Sequence, residues 1–205
     1  YTASAVVMDP EPMSGSEPTQ VQAGQTTRVK IILHPGRVIA KAFIVHFWFD
    51  KAFIEPCMRA VLRQVAEYAR DHPDEKMIIV GHTDMVGDRP PVEPLYNQSL
   101  SERRGRSVYA YLTYGRDQAG AQAEWDQLRR QRTTGVKKSI NDTWGTRQYQ
   151  YMLQDLGYYP GNVDENHGQM TDAAVRTFQG DKGLVVDGIV GEATWAALID
   201  AYLSQ

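Results

Sequence analysis

The stretch Gly81-His82-Thr83-Asp84 and the segment Tyr96–Arg104 that follows it decide how this chain of 205 residues is interpreted. Before the first stretch, residues 77–80 form a short apolar run with two isoleucines and a valine, which predicts a buried strand. Leu100–Leu112 has the pattern of a helix. We therefore expect Asp84 to leave the end of a strand, with a helix nearby.

Asp84 and Arg104 together have the chemistry of a receptor for a zwitterion. Asn97 and Arg104 are two helical turns apart, so both side chains point the same way. A carboxylate binds an ammonium group, and a guanidinium binds a carboxylate through two parallel hydrogen bonds. The alternative is a surface ion pair between Asp84 and Arg104, which contributes little stability.

The spacing of these residues resembles the OmpA-like (OmpA/MotB C-terminal) family of peptidoglycan-binding domains. Its pattern, G-H-T-D and then N-x-x-L-S-x-x-R-A-x-x-V-x-x-x-L, is matched at Gly81-His82-Thr83-Asp84, Asn97, Leu100, Ser101, Arg104, Val108 and Leu112. Gly105 stands where the family usually has Ala. The resemblance implies that Asp84 and Arg104 hold the free amino-acid end of meso-diaminopimelate in the cell-wall stem peptide. We predict ligand contacts from Thr83, Asp84, Asn97, Leu100, Ser101 and Arg104.

The sequence before this motif predicts a strand and a helix, which the same family has at this point. Val38–Asp50 predicts a largely buried strand, and its end, Phe47-Trp48-Phe49-Asp50, resembles the first strand of the family. Pro56 suits the first turn of a helix, and His72-Pro73 ends that helix. After Leu112 the family's next strand is not found intact. The domain is therefore predicted to be shortened or closed differently.

The last part of the chain contains an internal repeat, in which Val163–Ala174 aligns with Val186–Ala197. Asp and Gly make a tight turn, and a Thr hydroxyl can then satisfy the first N–H groups of a helix. We expect helices at about 146–156, 170–181 and 191–203. Gly157 and Gly183 are placed to terminate the first two of them.

This repeat resembles the small three-helix peptidoglycan-binding family, type 1. The family pattern is matched at Leu153, Gln154, Leu156, Gly157, Tyr158, Val163, Asp164, Gly168, Thr171, Ala174, Val175, Phe178, Gln179, Asp187, Gly188, Gly191, Thr194 and Trp195. Glu165 interrupts the first Asp-Gly pair. Most of these residues build the fold, and we predict that Tyr158, Tyr159 and Gln179 face sugar or peptide.

Composition and motifs exclude several classes of function. The formal net charge of −3 does not favour a nucleic-acid partner. No apolar run approaches the roughly 18 residues of a membrane-spanning helix. No metal site is predicted, because His82 and Asp84 have no third ligand at a suitable spacing. We find no nucleophile elbow, Cys/His pair or phosphate loop, so we predict a protein that is not an enzyme and uses no cofactor.

The predicted fold class is α+β, with an OmpA-like βαβα sandwich followed by a small all-α three-helix domain. The predicted boundaries are 1–36 for a β-rich N-terminal segment or linker and 37–116 for the OmpA-like domain. Residues 117–143 are predicted to form a connecting helix and linker. Residues 144–205 are predicted to form the second peptidoglycan-binding domain.

The predicted function is non-catalytic anchoring to peptidoglycan in the cell envelope, periplasmic or extracellular, with the second module adding avidity. One alternative is a peptidoglycan hydrolase or its targeting subunit, with the enzyme upstream of Tyr1. Another is a wall-engaging adaptor of a secretion or contractile injection apparatus. In that case the N-terminal segment would contact the larger assembly.

Overall fold

The computed structural model describes residues 2–7, 13–18, 34–35, 41–83, 95–130, 133–134, 139–140 and 143–205. The chain divides into two compact units, Tyr1–Ile44 and Val45–Gln205. Residues 19–33 of the predicted β-rich segment 1–36 lie outside the described residues, as does Asp84.

The first unit contains a three-stranded antiparallel sheet. Its strands are β1 (Thr2–Val7), β2 (Met13–Pro18) and β3 (His34–Pro35), in the order β1-β2-β3. Thr2 lies opposite Pro18, and Ser14 lies opposite His34. Residues 14–18 have the Ser, Gly and Pro composition of a linker, yet they pair as a strand. Pro18 is tolerated because it stands at the very end of β2.

The described part of the second unit is dominated by helices. A 3-10 helix (Pro56–Met58) leads into α1 (Arg59–Asp71), and α2 (Leu95–Thr113) and α3 (Gln118–Arg130) follow. Two antiparallel strands of two residues each, β4 (Thr133–Thr134) and β5 (Ser139–Ile140), precede α4 (Thr146–Asp155), α5 (Gln169–Asp181) and α6 (Glu192–Leu203).

The three C-terminal helices confirm the sequence prediction to within one residue at each end. Gly157 and Gly183 follow α4 and α5 with φ values of 84° and 65°. This left-handed backbone is what a terminating glycine supplies at no steric cost.

The predicted βαβα sandwich is not formed by the described residues. Neither 41–50 nor 77–80 is a strand, so the two strand predictions are wrong for this part of the chain. Strand-forming side chains do not make a strand without a neighbour that completes the hydrogen-bond ladder. Only the turn 114–116 and Asp117 separate α2 from α3, so the chain continues there as a helix instead of a strand.

One aromatic core joins the two halves of the second unit. Phe53 is 1% exposed, and its ring centroid lies 5.1 Å from that of Trp144 and 5.6 Å from that of Tyr202 in α6. Trp125 of α3 is fully buried and contacts Phe53 with a centroid separation of 6.0 Å. The helix in the predicted connecting region is therefore part of the core.

Arg59 ties α1 to the C-terminal helices within this core. It is 5% exposed, and its Nη1 lies 2.9 Å from Oδ2 of Asp155 at the end of α4. Its guanidinium covers the ring of Tyr202 at 4.2 Å and donates to the Tyr202 carbonyl. The Tyr202 hydroxyl donates to the carbonyl of Ile54 at 2.9 Å, and burial raises the pKa of Tyr202.

Replacing Arg59 should destabilise the whole second unit. Arg59→Ala removes a buried cation and leaves the Asp155 carboxylate without it, which typically costs about 3–5 kcal/mol. We expect a decrease of that size in the free energy of unfolding, measured by urea denaturation. Circular dichroism and tryptophan fluorescence should follow one common transition. Arg63→Ala, at an exposed position four residues further along α1, should change stability by less than about 0.5 kcal/mol. Equal effects of the two substitutions would contradict this role.

Candidate binding site

Gly81 lets residues 81–83 lie against α2. A Cβ atom at Gly81 would overlap the carbonyl oxygen of Ser101, so a larger residue cannot occupy this position without a shift of the backbone. The Thr83 hydroxyl donates to the carbonyl of Asn97 at 3.3 Å. The segment therefore runs along the N-terminal half of α2.

Arg104 lies at the centre of the predicted site, and its guanidinium is oriented by three backbone carbonyls. Nε donates to Lys51 at 3.0 Å, Nη1 to His82 at 3.0 Å and Nη2 to Trp48 at 3.3 Å. The guanidinium carbon also lies 5.3 Å from the ring centroid of Phe47. These contacts fix the plane of the fork, because its donors have a rigid geometry.

The other predicted contact residues on α2 take different positions. Asn97 is 6% exposed and Leu100 is 2% exposed, so both pack in the interior. Ser101 is half-buried, and its hydroxyl donates to the carbonyl of Gln98 at 2.7 Å. The structure thus brings Thr83 to Asn97, and His82 to Arg104. The pairing of Asp84 with Arg104 stays a prediction.

An open groove of about 750 Å³ lies beside this segment, between residues 77–81 and helices α2 and α3. Met77, Val80 and Tyr109 supply its exposed apolar surface. Arg106 and Glu124, which form an ion pair at 2.7 Å, also line it. Of the predicted site residues that the structure describes, Ser101 alone is in the lining. Arg104 is not among the lining residues, so this groove is distinct from the predicted zwitterion site.

In the C-terminal helices, Gln179 holds the second turn of the repeat. It is 1% exposed, and its Nε2 donates to Oδ1 of Asp187, to the carbonyl of Ile189 and to Oγ1 of Thr194. Its Oε1 accepts the N–H of Gly188 at 2.9 Å. This burial and bonding favour a structural role for Gln179.

Gln150 does the same in the first turn, and sequence reasoning did not identify it. Its Nε2 donates to Oδ1 of Asp164, to the carbonyl of Asn166 and to Oγ1 of Thr171, and its Oε1 accepts the N–H of Glu165. The spacing hides the equivalence, since Gln150 precedes its Asp by 14 residues and Gln179 precedes its Asp by 8. The sequence signal for Gln150 is that Asp164 and Thr171 align with Asp187 and Thr194, the partners of Gln179.

Hydrogen bonds in the two turns also lower the pKa values of Asp164 and Asp187. Accepting bonds from Gln150 and from the N–H of Asn166 lowers the pKa of Asp164, and the N–H of Ile189 and then Gln179 lower the pKa of Asp187. A carboxyl with a lowered folded pKa stabilises the fold above its unfolded pKa. That contribution is lost as the pH falls through the folded value.

Tyr158 and Tyr159, the other residues predicted to face a ligand, differ in exposure. Tyr159 is 5% exposed, and its hydroxyl donates to the carbonyl of Asn162 at 2.8 Å. Tyr158 is half-buried and meets Phe178 edge-to-face at a centroid distance of 5.3 Å. Of these two side chains, Tyr158 is the more accessible.

Comparison with known families assigns both halves of the second unit. Residues 46–119 match the "OmpA family", and residues 145–198 match the family described as "Putative peptidoglycan binding domain". The two matches stand in that order along the chain. They confirm both resemblances seen in the sequence and support peptidoglycan binding.

Curated relatives match about a third of the chain. Outer membrane protein A of Bordetella avium is 47% identical over 66 residues, which is 32% of this chain and 31% of that protein. Outer membrane protein A of Escherichia coli O157:H7 is 39% identical over 70 residues, or 33% and 19% of the two chains. Outer membrane porin F of Pseudomonas aeruginosa is 36% identical over 64 residues, or 31% and 17%. The alignments thus span less than a third of these relatives.

No solved structure matches the chain significantly. Among the helices that the structure describes, none is both long and apolar enough to span a membrane. Within the same described residues, no three His, Cys, Asp or Glu side chains come together in a way that could hold a metal ion.

Gly81, which lies against α2, and Gly105, which lies within α2, should respond oppositely to alanine. At Gly105 a Cβ would meet Ile79 Cγ2 at 3.8 Å, which is ordinary contact, so Gly105→Ala should raise the free energy of unfolding by about 0.4–1 kcal/mol. At Gly81 the clash with Ser101 should make Gly81→Ala destabilising by about 1–3 kcal/mol. Urea denaturation of both variants measures this. Stabilisation by Gly81→Ala would show that the segment does not lie against α2 in this way.

Proposed function

We propose that this protein binds peptidoglycan without cleaving it and anchors to the wall in the cell envelope, on the periplasmic or extracellular side. Arg104 and Asp84 recognise the free amino-acid end of diaminopimelate in the stem peptide. The observation that carries the proposal is the guanidinium of Arg104, which three backbone carbonyls orient at the edge of the Gly81–Thr83 segment.

The chemistry of recognition follows from the two charges. The guanidinium of Arg104 takes the ligand carboxylate, and the carboxylate of Asp84 takes the ammonium group on the same carbon. Because carbonyls of Trp48, Lys51 and His82 already hold the fork, little side-chain freedom is lost on binding. The Thr83 hydroxyl, which donates to the Asn97 carbonyl, holds the residues just before Asp84 against α2.

The C-terminal helices add a second contact with the wall, in which Tyr158 is the most accessible of the predicted residues. Two weak sites on one chain raise the residence time on a polymer through effective concentration. Here the two regions share the core around Phe53, so their spacing is fixed by the fold and not by a flexible linker. Both sites can act together only on wall chains whose geometry matches that spacing.

Loss of either charge should release the protein from the wall. We expect Arg104→Ala and Asp84→Ala each to abolish or strongly reduce co-sedimentation with diaminopimelate-type sacculi. Arg104→Lys keeps the charge and loses the fork, so it should also bind weakly. Arg70→Ala, an exposed arginine of α1, is the control and should sediment like wild type.

A competition experiment keeps the test valid if a variant does not fold. Free meso-diaminopimelate should displace the wild-type protein from sacculi, while cadaverine at the same concentration should not, because it has ammonium groups but no carboxylate for Arg104. Wild-type retention by the Arg104 and Asp84 variants, with no competition by diaminopimelate, would refute the site. Release of soluble muropeptides from the sacculi would refute the non-catalytic function and favour the hydrolase.

A further inference from the structure

The turn Trp48–Lys51 is held from both halves of the second unit. The Lys51 N–H donates to the Trp48 carbonyl at 3.1 Å and closes the turn. From α2, Arg104 donates to the carbonyls of Trp48 and Lys51. From the C-terminal half, the guanidinium of Arg147 lies over the Trp48 ring at 4.1 Å, and Lys51 Nζ donates to the Thr143 carbonyl at 3.4 Å. Two arginines from different family regions therefore meet on one turn.

Arg147 is itself fixed by partners on both sides of this junction. Its side chain is 16% exposed and lies 3.5 Å from a carboxylate oxygen of Glu55, just after the turn. On the C-terminal side it lies 3.0 Å from a carboxylate oxygen of Glu165, and it donates to the Tyr151 hydroxyl at 3.0 Å. A cation stacked on an aromatic ring and paired with two carboxylates has little freedom to move.

Glu165, which pairs with Arg147, has a strained backbone. Its φ is 65°, in the left-handed region that disfavours side chains other than glycine. The equivalent residue of the second repeat is Gly188, with φ of 75°. The fold of this turn therefore suits glycine, and the glutamate adds a carboxylate for Arg147 at a conformational cost. Strain of this kind often marks a functional constraint.

We propose that Arg147, supported by Glu165, is a positioning residue for the wall-binding guanidinium of Arg104. Arg147 holds the Trp48 ring, and the Trp48 and Lys51 carbonyls in turn set the plane of the Arg104 fork. The C-terminal region thus prepares the stem-peptide site of the region before it, in addition to touching the wall. This inference rests on the proposed function of Arg104.

The second repeat supplies a matched control. Arg176 stands three residues before Gln179, as Arg147 stands three residues before Gln150. Arg176 is bonded to its own helix and the turn after it, with Nε 2.8 Å from a carboxylate oxygen of Asp172 and Nη1 3.1 Å from the Val186 carbonyl. Arg176→Ala therefore removes an equivalent cation without touching the Trp48–Lys51 turn.

The test measures the affinity for the soluble tripeptide L-Ala-D-Glu-meso-diaminopimelate by calorimetry, together with the thermal midpoint of unfolding. Arg147→Ala should weaken binding roughly two- to thirtyfold, and Arg147→Lys should recover part of the loss. Glu165→Gly should weaken binding while the thermal midpoint stays the same or rises, because it relieves the strained backbone. Arg176→Ala should leave the affinity unchanged.

The outcomes separate this inference from the proposed function. If Arg104→Ala abolishes binding but Arg147→Ala and Glu165→Gly bind like wild type, the positioning role is overturned and the stem-peptide site stands. If Arg104→Ala binds the tripeptide like wild type, the stem-peptide site at Arg104 and the positioning role of Arg147 are both overturned. A merely structural role would make affinity follow the thermal midpoint, so tighter or equal binding by a stabilised Glu165→Gly also overturns the positioning role.

Discussion

The burial of Phe53 among Trp125, Trp144 and Tyr202 is the contact on which the second unit depends. These four rings come from the segment before α1, from α3, from the segment before α4 and from α6. Aromatic side chains of this size contribute heavily to a small core, both through buried area and through edge-to-face contacts. Removing any one of these elements would open the same core, so the two family regions are parts of one folded body.

This shared core changes how the function should be dissected. A truncation at residue 144 would remove Trp144 and Tyr202 from the rings around Phe53 and expose the fully buried Trp125. Loss of wall binding by such a truncation would then report unfolding as much as loss of a second site. Point substitutions on the surface separate avidity from stability, because they leave the ring cluster and Arg59 in place.

Helices were the predictable part of the structure, because their signals are local. Helical spacing and the terminating glycines Gly157 and Gly183 gave α4, α5 and α6 almost to the residue. The strands predicted at 38–50 and 77–80 are not formed by residues 41–50 and 77–80, because a strand also needs a distant neighbour to complete its hydrogen bonds and local sequence does not specify that neighbour. Gln150 was missed because its partners Asp164 and Thr171 are brought to it only by the turn. The motif predicted Arg104 as the central cation. Its three carbonyl partners could not be predicted, because the fold brings them together from distant parts of the chain.

The most direct test of the account observes Arg104 itself during binding. The Nε–Hε resonance of Arg104 can be followed by NMR as a tripeptide ending in meso-diaminopimelate is added, and assigned by its absence from Arg104→Lys. The account predicts that this resonance shifts with the ligand and saturates together with backbone signals of residues 81–84. Saturable binding that moves other signals while the Arg104 resonance stays unchanged would contradict the central claim.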